Sequence, residues 1–231
     1  MACNFQDTTG GELAINTAFP YVEGMTKGNN AATGDNIQIM TEDGGYDTYY
    51  MSNGKNAKNA AVNGLEGKWA KVSTYVPTED TIAAGKAFWY ISQAHVADAT
   101  AASFNIQVAG QVMAASASSR ELAAQYMIIG SPYPVDIDLN GGINVTGGTE
   151  GNNAASGDNL QIMTEDGGYD TYYLSNGKNA KGAVVDGLAG KWAKVSTYTP
   201  TADKFPAGSA AWYVRQGAEP VTVQFVNPAV K

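Results

Sequence analysis

The chain has 231 residues, with 14 Lys or Arg against 22 Asp or Glu and a formal net charge of −8. That balance works against capture of nucleic acid, which needs basic side chains to displace counterions from phosphates, and against docking to an anionic membrane surface. No apolar run approaches the roughly 20 residues that span a bilayer, and the single cysteine, Cys3, excludes an internal disulfide and a cysteine-built zinc site.

In chain order, Met1–Asp7 has neither the basic start nor the apolar centre of a secretory signal. Either the protein is made and used without one, or the sequence begins after its removal. Asn36–Thr41 carries Ile37 and Ile39 at alternate positions, the period of a half-buried strand. Glu42-Asp43-Gly44-Gly45 is a hairpin turn, and Tyr46–Met51 is the returning strand. Lys68–Val76 and Lys86–Ile91 are expected as a third and a fourth strand, and Phe104–Val112 closes the set.

Residues 28–92 then recur without a gap at 151–215, with 49 of 65 positions identical at a constant offset of 123. A repeat of this length outranks any local motif. It predicts an all-β protein of two tandem antiparallel β-sandwich or barrel-like modules from an internal duplication. Module one covers 1–113 and module two 129–231, each of ordinary domain size. Between them, 114–128 reads either as a short helix, from Ser119-Arg120-Glu121-Leu122-Ala123-Ala124, or as an extended linker running into a strand. Val221–Val226 is the closing strand of module two.

The modules differ most at their beginnings. Glu12-Leu13-Ala14 matches Glu121-Leu122-Ala123 at an offset of 109, which leaves 14 extra residues in module two, around 129–142. If these supply an edge strand, module one lacks it, and an unpaired edge invites another strand to add. The residues expected to mediate assembly are Leu13, Ile15 and Phe19 on one side and Tyr133, Val135, Ile137 and Leu139 on the other.

The only histidine is His95, outside the repeated core, so a Ser–His–Asp system or a multi-histidine metal centre shared by both modules is excluded. No phosphate-binding or dinucleotide-binding glycine motif is present. Carboxylates cluster at the hairpins (Glu42, Asp43 and Asp47; Glu165, Asp166 and Asp170), and solvated turns, a weak calcium site and catalysis are the readings open to them. Asp136, Asp138 and Asn140 match the opening of a calcium loop, but its twelfth position is Gly147. An alternating strand with Asp136 and Asp138 outward explains the match equally. Calcium is the one cofactor the sequence admits.

All four tryptophans and ten of the thirteen tyrosines stand at equivalent places in the two modules. Trp89 and Trp212 are expected in the cores, which leaves Tyr46, Tyr50, Tyr90, Tyr169, Tyr173 and Tyr213 as candidates for an exposed face that stacks on sugar rings or forms an interface.

The run Gly34-Asp35-Asn36-Ile37-Gln38-Ile39, then Tyr46-Asp47-Thr48-Tyr49-Tyr50, then Gly85-Lys86-Ala87-Phe88-Trp89-Tyr90, resembles repeated β-rich modules in uncharacterised exported or surface proteins of environmental and gut bacteria. Ile129-Gly130-Ser131-Pro132-Tyr133-Pro134 is similar to an element that often precedes such modules. Module one departs from this with Ala18-Phe19-Pro20-Tyr21. The resemblance implies a surface or assembly role and no catalytic residue. The expected function is therefore non-enzymatic: a structural protein that self-assembles into an extracellular filament, a surface layer or a virion appendage. The alternative is a carbohydrate-binding or adhesion module. The partners are further copies of the chain, added strand to strand, or a glycan on the alternative reading.

Overall fold

The structure is a computed structural model that describes residues 1–3, 5–164 and 166–230. It is all-β, with only single-turn helices among the described residues. The first half runs β1 (Leu13–Ala14), α1 (Ile15–Ala18), β2 (Asn36–Met40), β3 (Tyr46–Met51), β4 (Trp69–Lys71), β5 (Thr81–Ile82), β6 (Phe88–Ile91) and α2 (Gln93–Ala97). The second half opens with β7 (Ala117–Leu122) and β8 (Tyr126–Gly130), then β9 (Ile137–Asp138), α3 (Leu139–Gly142) and β10 (Ile143–Thr146). It continues through β11 (Asn159–Met163), β12 (Tyr169–Leu174), β13 (Trp192–Lys194), β14 (Lys204–Phe205), β15 (Ala210–Val214) and β16 (Val221–Val226).

The repeat folds twice into one antiparallel sheet. Its order is β4-β3-β2-β6 in the first half and β13-β12-β11-β15 in the second. The registers coincide at the offset of 123: Asn36 faces Tyr50 as Asn159 faces Tyr173, and Ile39 faces Phe88 as Ile162 faces Ala211. The second half adds β8 beside β15 as a fifth strand, and a separate sheet ordered β10-β16-β7. Leu122, Val223 and Phe225 of that sheet share one core with Leu160, Ile162 and Tyr213 of the five-stranded sheet.

Alternation sets the inner face. Ile37, Ile39, Tyr49 and Phe88 lie in the first core with Trp69, while Gln38 and Trp89, on the other pleat, point away from it. A buried carboxylate fixes this phase. Asp35 accepts from the Tyr90 hydroxyl at 2.6 Å and the Gln93 N–H at 2.7 Å, and Asp158 accepts from Tyr213 and Gln216 at 2.8 and 2.7 Å. Burial, and then the neighbouring aspartate, push both phenols well above the usual tyrosine range.

One open expectation is settled and three change. Of the two readings of 114–128, the helix is not formed and the extended segment running into a strand is: β7 forms six backbone pairs with β16, and this tertiary pairing outweighs local helix propensity. The offset of 109 at Glu12-Leu13-Ala14 is also wrong. Asn16 and Asn140 make the same three bonds, to the Trp69 or Trp192 N–H and C=O and to the Thr78 or Thr201 carbonyl, so the offset there is 124. Residues 136–142 are therefore the counterpart of 12–18, and the surplus in the second half is β7 and β8. The third strand stops at Lys71, because Ser73 and Tyr75 take left-handed conformations with φ of 71° and 53°. Finally, 104–110 forms no strand, although Phe104, Ile106 and Val108 still pack on the first core. Its counterpart β16 is held between β10 and β7, whereas among the described residues the first-half segment has no ladder beside it, only the single bridge between Gln6 and Gln111 at its end.

The glycines of Gly151-Asn152-Asn153-Ala154-Ala155-Ser156-Gly157 are required by close approach. A Cβ on Gly151 would lie 2.2 Å from the Gly157 nitrogen. Gly151→Ala is expected to destabilise by about 2–3 kcal/mol, the cost of overpacking against backbone that cannot move aside. Urea denaturation checks this, and an unchanged midpoint would show that the loop relaxes.

Candidate assembly site

The edge of β6 is where the two halves part company. In an antiparallel ladder, successive residues turn their N–H and C=O to opposite sides. Phe88 exchanges two bonds with Met1, at 2.9 and 3.0 Å, on the side away from β2. Tyr90 and the Ser92 N–H face the same way, and no described residue bonds to them there. In the second half the equivalent groups are all paired. Ala211 and Tyr213 lie opposite Ile129 and Met127, and the Arg215 N–H donates to Gln125 at 2.8 Å. Tyr213, Val214 and Arg215 are buried as a result, whereas Tyr90, Ile91 and Ser92 are half-buried. The first-half sheet thus ends in an open edge.

The halves meet through equivalent residues. Trp89 packs on Trp212 with ring centroids 6.3 Å apart. Ala2 and Gly130, which pair with Ala87 and Ala210, also touch: a Cβ on Gly130 would lie 2.3 Å from that of Ala2. The Ala2 N–H donates to the Gly208 carbonyl at 3.1 Å, and Gly130 sits against Gly85, the equivalent of Gly208. Contacts of residue i with its own equivalent define a local twofold relation between the repeats.

β7 and β8 break that relation. Their hairpin leans across onto the first half, where Met40 joins Leu122, Met127 and Ile128 in one cluster and the Ile128 N–H reaches the Met40 sulfur at 3.4 Å. Arg120 donates to the Ile128 carbonyl at 3.1 Å and to Glu42 at 3.3 Å, and Lys86 also meets Glu42, at 3.1 Å. Met40 is 4% exposed, whereas its equivalent Met163 is 43% exposed. A Cβ on Gly44 would touch Ala124, but one on its equivalent Gly167 meets nothing within 4 Å. Two clefts flank the junction. One, of about 570 Å³, holds Met40, Glu42, Lys86 and Arg120. The other, of about 250 Å³, is lined by Met163, Tyr169, Trp212, Trp89 and Met1.

The expected assembly residues lie elsewhere. Leu13, Ile15 and Phe19 are buried in the first core, and Tyr133, Ile137 and Leu139 in the second, because β1–α1 and β9–α3 close their own halves. Val135 alone is exposed. Among the aromatics the phase is reversed. Tyr90 and Tyr213 face inward to the buried aspartates, and Trp89 and Trp212 take the outer face. Tyr50 and Tyr173 share that outer face but are covered by the loops carrying Leu65 and Leu188. Only Tyr46 and Tyr169 of the six tyrosines are exposed. The open edge was missed because its signal lies in a comparison: β6 and β15 are alike, and only one has a strand beside it.

The carboxylates are engaged locally. Asp47 pairs with Lys71 at 2.8 Å and Asp170 with Lys194 at 2.7 Å. Asp43 and Asp166 accept from the Thr41 and Thr164 hydroxyls within their own turns, and Glu165 lies outside the described residues. Asp136 accepts from the Ala207 N–H, Asp138 caps α3 through the Asn140 and Gly141 N–H groups, and the Asn140 side chain clamps β13. The structure does not bring these three together as calcium ligands. Among the described residues no group of three or more His, Cys, Asp or Glu could hold a metal ion. No described helix is long and apolar enough to cross a membrane.

No protein-family model, curated protein or solved structure matches the chain.

Two measurements test this geometry. Asn140→Ala strips two bonds from β13 and one from the Thr201 carbonyl and is expected to cost about 2–4 kcal/mol in urea unfolding, while calcium and chelator leave the wild-type midpoint unchanged. For Glu42, burial raises the carboxyl, but the Lys86 hydrogen bond and the charges of Arg120 and Lys86 outweigh it and hold the carboxyl below its ordinary value. A group lowered on folding stabilises above its unfolded pKa, about 4.3, and loses that effect as pH falls through the folded value. The stability gap between wild type and Glu42→Gln is therefore expected to close between roughly pH 6 and pH 3.

Proposed function

We propose that this is a non-enzymatic structural protein that self-assembles by strand addition, as a subunit of an extracellular filament, a surface layer or a virion appendage. The observation that carries the reading is the open edge of β6, whose counterpart β15 is closed by a strand of the same chain. An exposed run of unpaired backbone donors and acceptors is a template for a further strand. The composition fits such a role, with 27 glycines and only 16% charged residues. The local engagement of the carboxylates supports the non-enzymatic part. Likeness to the repeated modules of bacterial surface proteins points the same way.

A second reading is favoured by one observation: Trp89, Trp212 and Tyr169 line a single cleft, and aromatic faces of this kind stack on sugar rings. On that reading the protein is a carbohydrate-binding or adhesion module.

The test uses Ser92→Pro. Ser92 has φ −83°, which proline adopts, and its N–H is one of the unpaired edge groups. Light scattering and negative-stain electron microscopy are expected to show oligomers or filaments of the wild type and a shift to monomers in the variant. Monodisperse wild-type monomers would remove the self-assembly reading, and glycan binding lost in Trp212→Ala would put the second in its place.

A further inference from the structure

The molecule has three unfilled positions, two in the first half and one in the second, and the single β7–β8 hairpin fills the equivalents of all three. The first is the β6 edge at Tyr90 and Ser92, paired in the second half by β8. The second is the flank of 104–110, which lies where β16 gains six backbone pairs from β7. The third is the face of Met163, Gly167 and Tyr169. Across the local twofold its equivalent, Met40 with Gly44, is covered by Leu122, Ala124 and Ile128. Met1 already stands where Ile129 stands, bonded to Phe88 as Ile129 is to Ala211.

We infer that these positions form one seat, running from the β6 edge across the junction to Met163, and that it takes an extended two-stranded segment of another polypeptide with the pattern of Ala117–Ile128. One strand adds antiparallel to β6, bonding to Tyr90 and Ser92. An apolar residue in the place of Ile128 then enters the Met163–Trp89–Trp212 cleft. The second strand lies along 104–110 and draws Phe104, Ile106 and Val108 into a ladder. Burial at the cleft and backbone pairing at the edge act together, because the pleat turns alternate side chains of the added strand to opposite faces. The occupant's requirements follow: apolar side chains at the places of Leu122 and Met127 for the core, since Met1 already holds that of Ile129, an apolar one at Ile128 for the cleft, and a small turn residue at Ala124. The inference rests on the strand-addition reading only in taking β6 as an acceptor edge; the occupant need not be a second copy of this chain.

The probe is a synthetic capped peptide with the sequence of residues 117–128, carrying a fluorophore and titrated with the full chain while anisotropy is read. Saturable binding is expected, weakened roughly tenfold by Ser92→Pro through loss of one backbone bond. Met163→Glu, at an exposed position that tolerates the charge when the seat is empty, is expected to weaken binding by a similar or larger factor. A peptide with Leu122→Glu and Met127→Glu is expected not to bind. Failure of the wild type to bind at about 1 mM, where even −4 kcal/mol would register, would overturn the seat, and so would equal binding by all variants. Occupation of the cleft by a sugar with no peptide response would do the same. Light scattering separates the two proposals. A monomer that binds the peptide keeps the seat and removes self-assembly, while wild-type oligomers that Ser92→Pro dissociates, without peptide binding, remove the seat alone.

Discussion

The hairpin of β7 and β8 belongs to three surfaces at once, and the arrangement of the molecule depends on it. Its backbone pairs with β15 on one side and β16 on the other, which closes the second core between two sheets. Its outward side chains cover Met40, which docks the first half onto the second. Neither role is available to a strand alone, because a single strand buries too little apolar area to hold two sheets and a neighbouring repeat together. The near-identity of the two repeats makes the effect visible: the same sheet sequence gives a closed edge with the hairpin and an open one without it.

Much of the fold was legible in the residues. The constant offset implied equal registers, and alternation at Ile37 and Ile39 gave both the strand and its inner face. What local pattern does not carry is phase and pairing over distance. Phe88-Trp89-Tyr90 says that Trp89 opposes its neighbours, but not which side is buried. That is settled by Asp35, 55 residues before Tyr90, whose carboxylate needs a donor in the interior. Ala117–Leu122 contains good helix formers, and only the ladder with β16, about a hundred residues later, makes it a strand. The Glu-Leu-Ala match at offset 109 was attractive because it was literal, yet the physical equivalence runs through Asn16 and Asn140, a single shared side chain in otherwise unlike surroundings.

The candidate site was legible only in outline. The idea that the first half is incomplete came from the sequence, but its location did not, because the misplaced alignment put the surplus at 129–142. Residues expected at an assembly surface, such as Ile15 and Leu139, proved to be among the most buried in the chain. Apolar alternation marks a strand that must be covered, and in this protein the covering is supplied within each half.

The filled and unfilled edges lie in one molecule, and this makes the protein its own reference. The Tyr213 amide is held in a ladder, while the Tyr90 amide, in nearly the same local sequence, faces away from its sheet with no partner among the described residues. Amide exchange reflects such differences in local protection. Because both tyrosines follow a tryptophan, the ratio of the two exchange rates cancels their intrinsic chemistry, and what is left is the difference in protection between a filled edge and an open one.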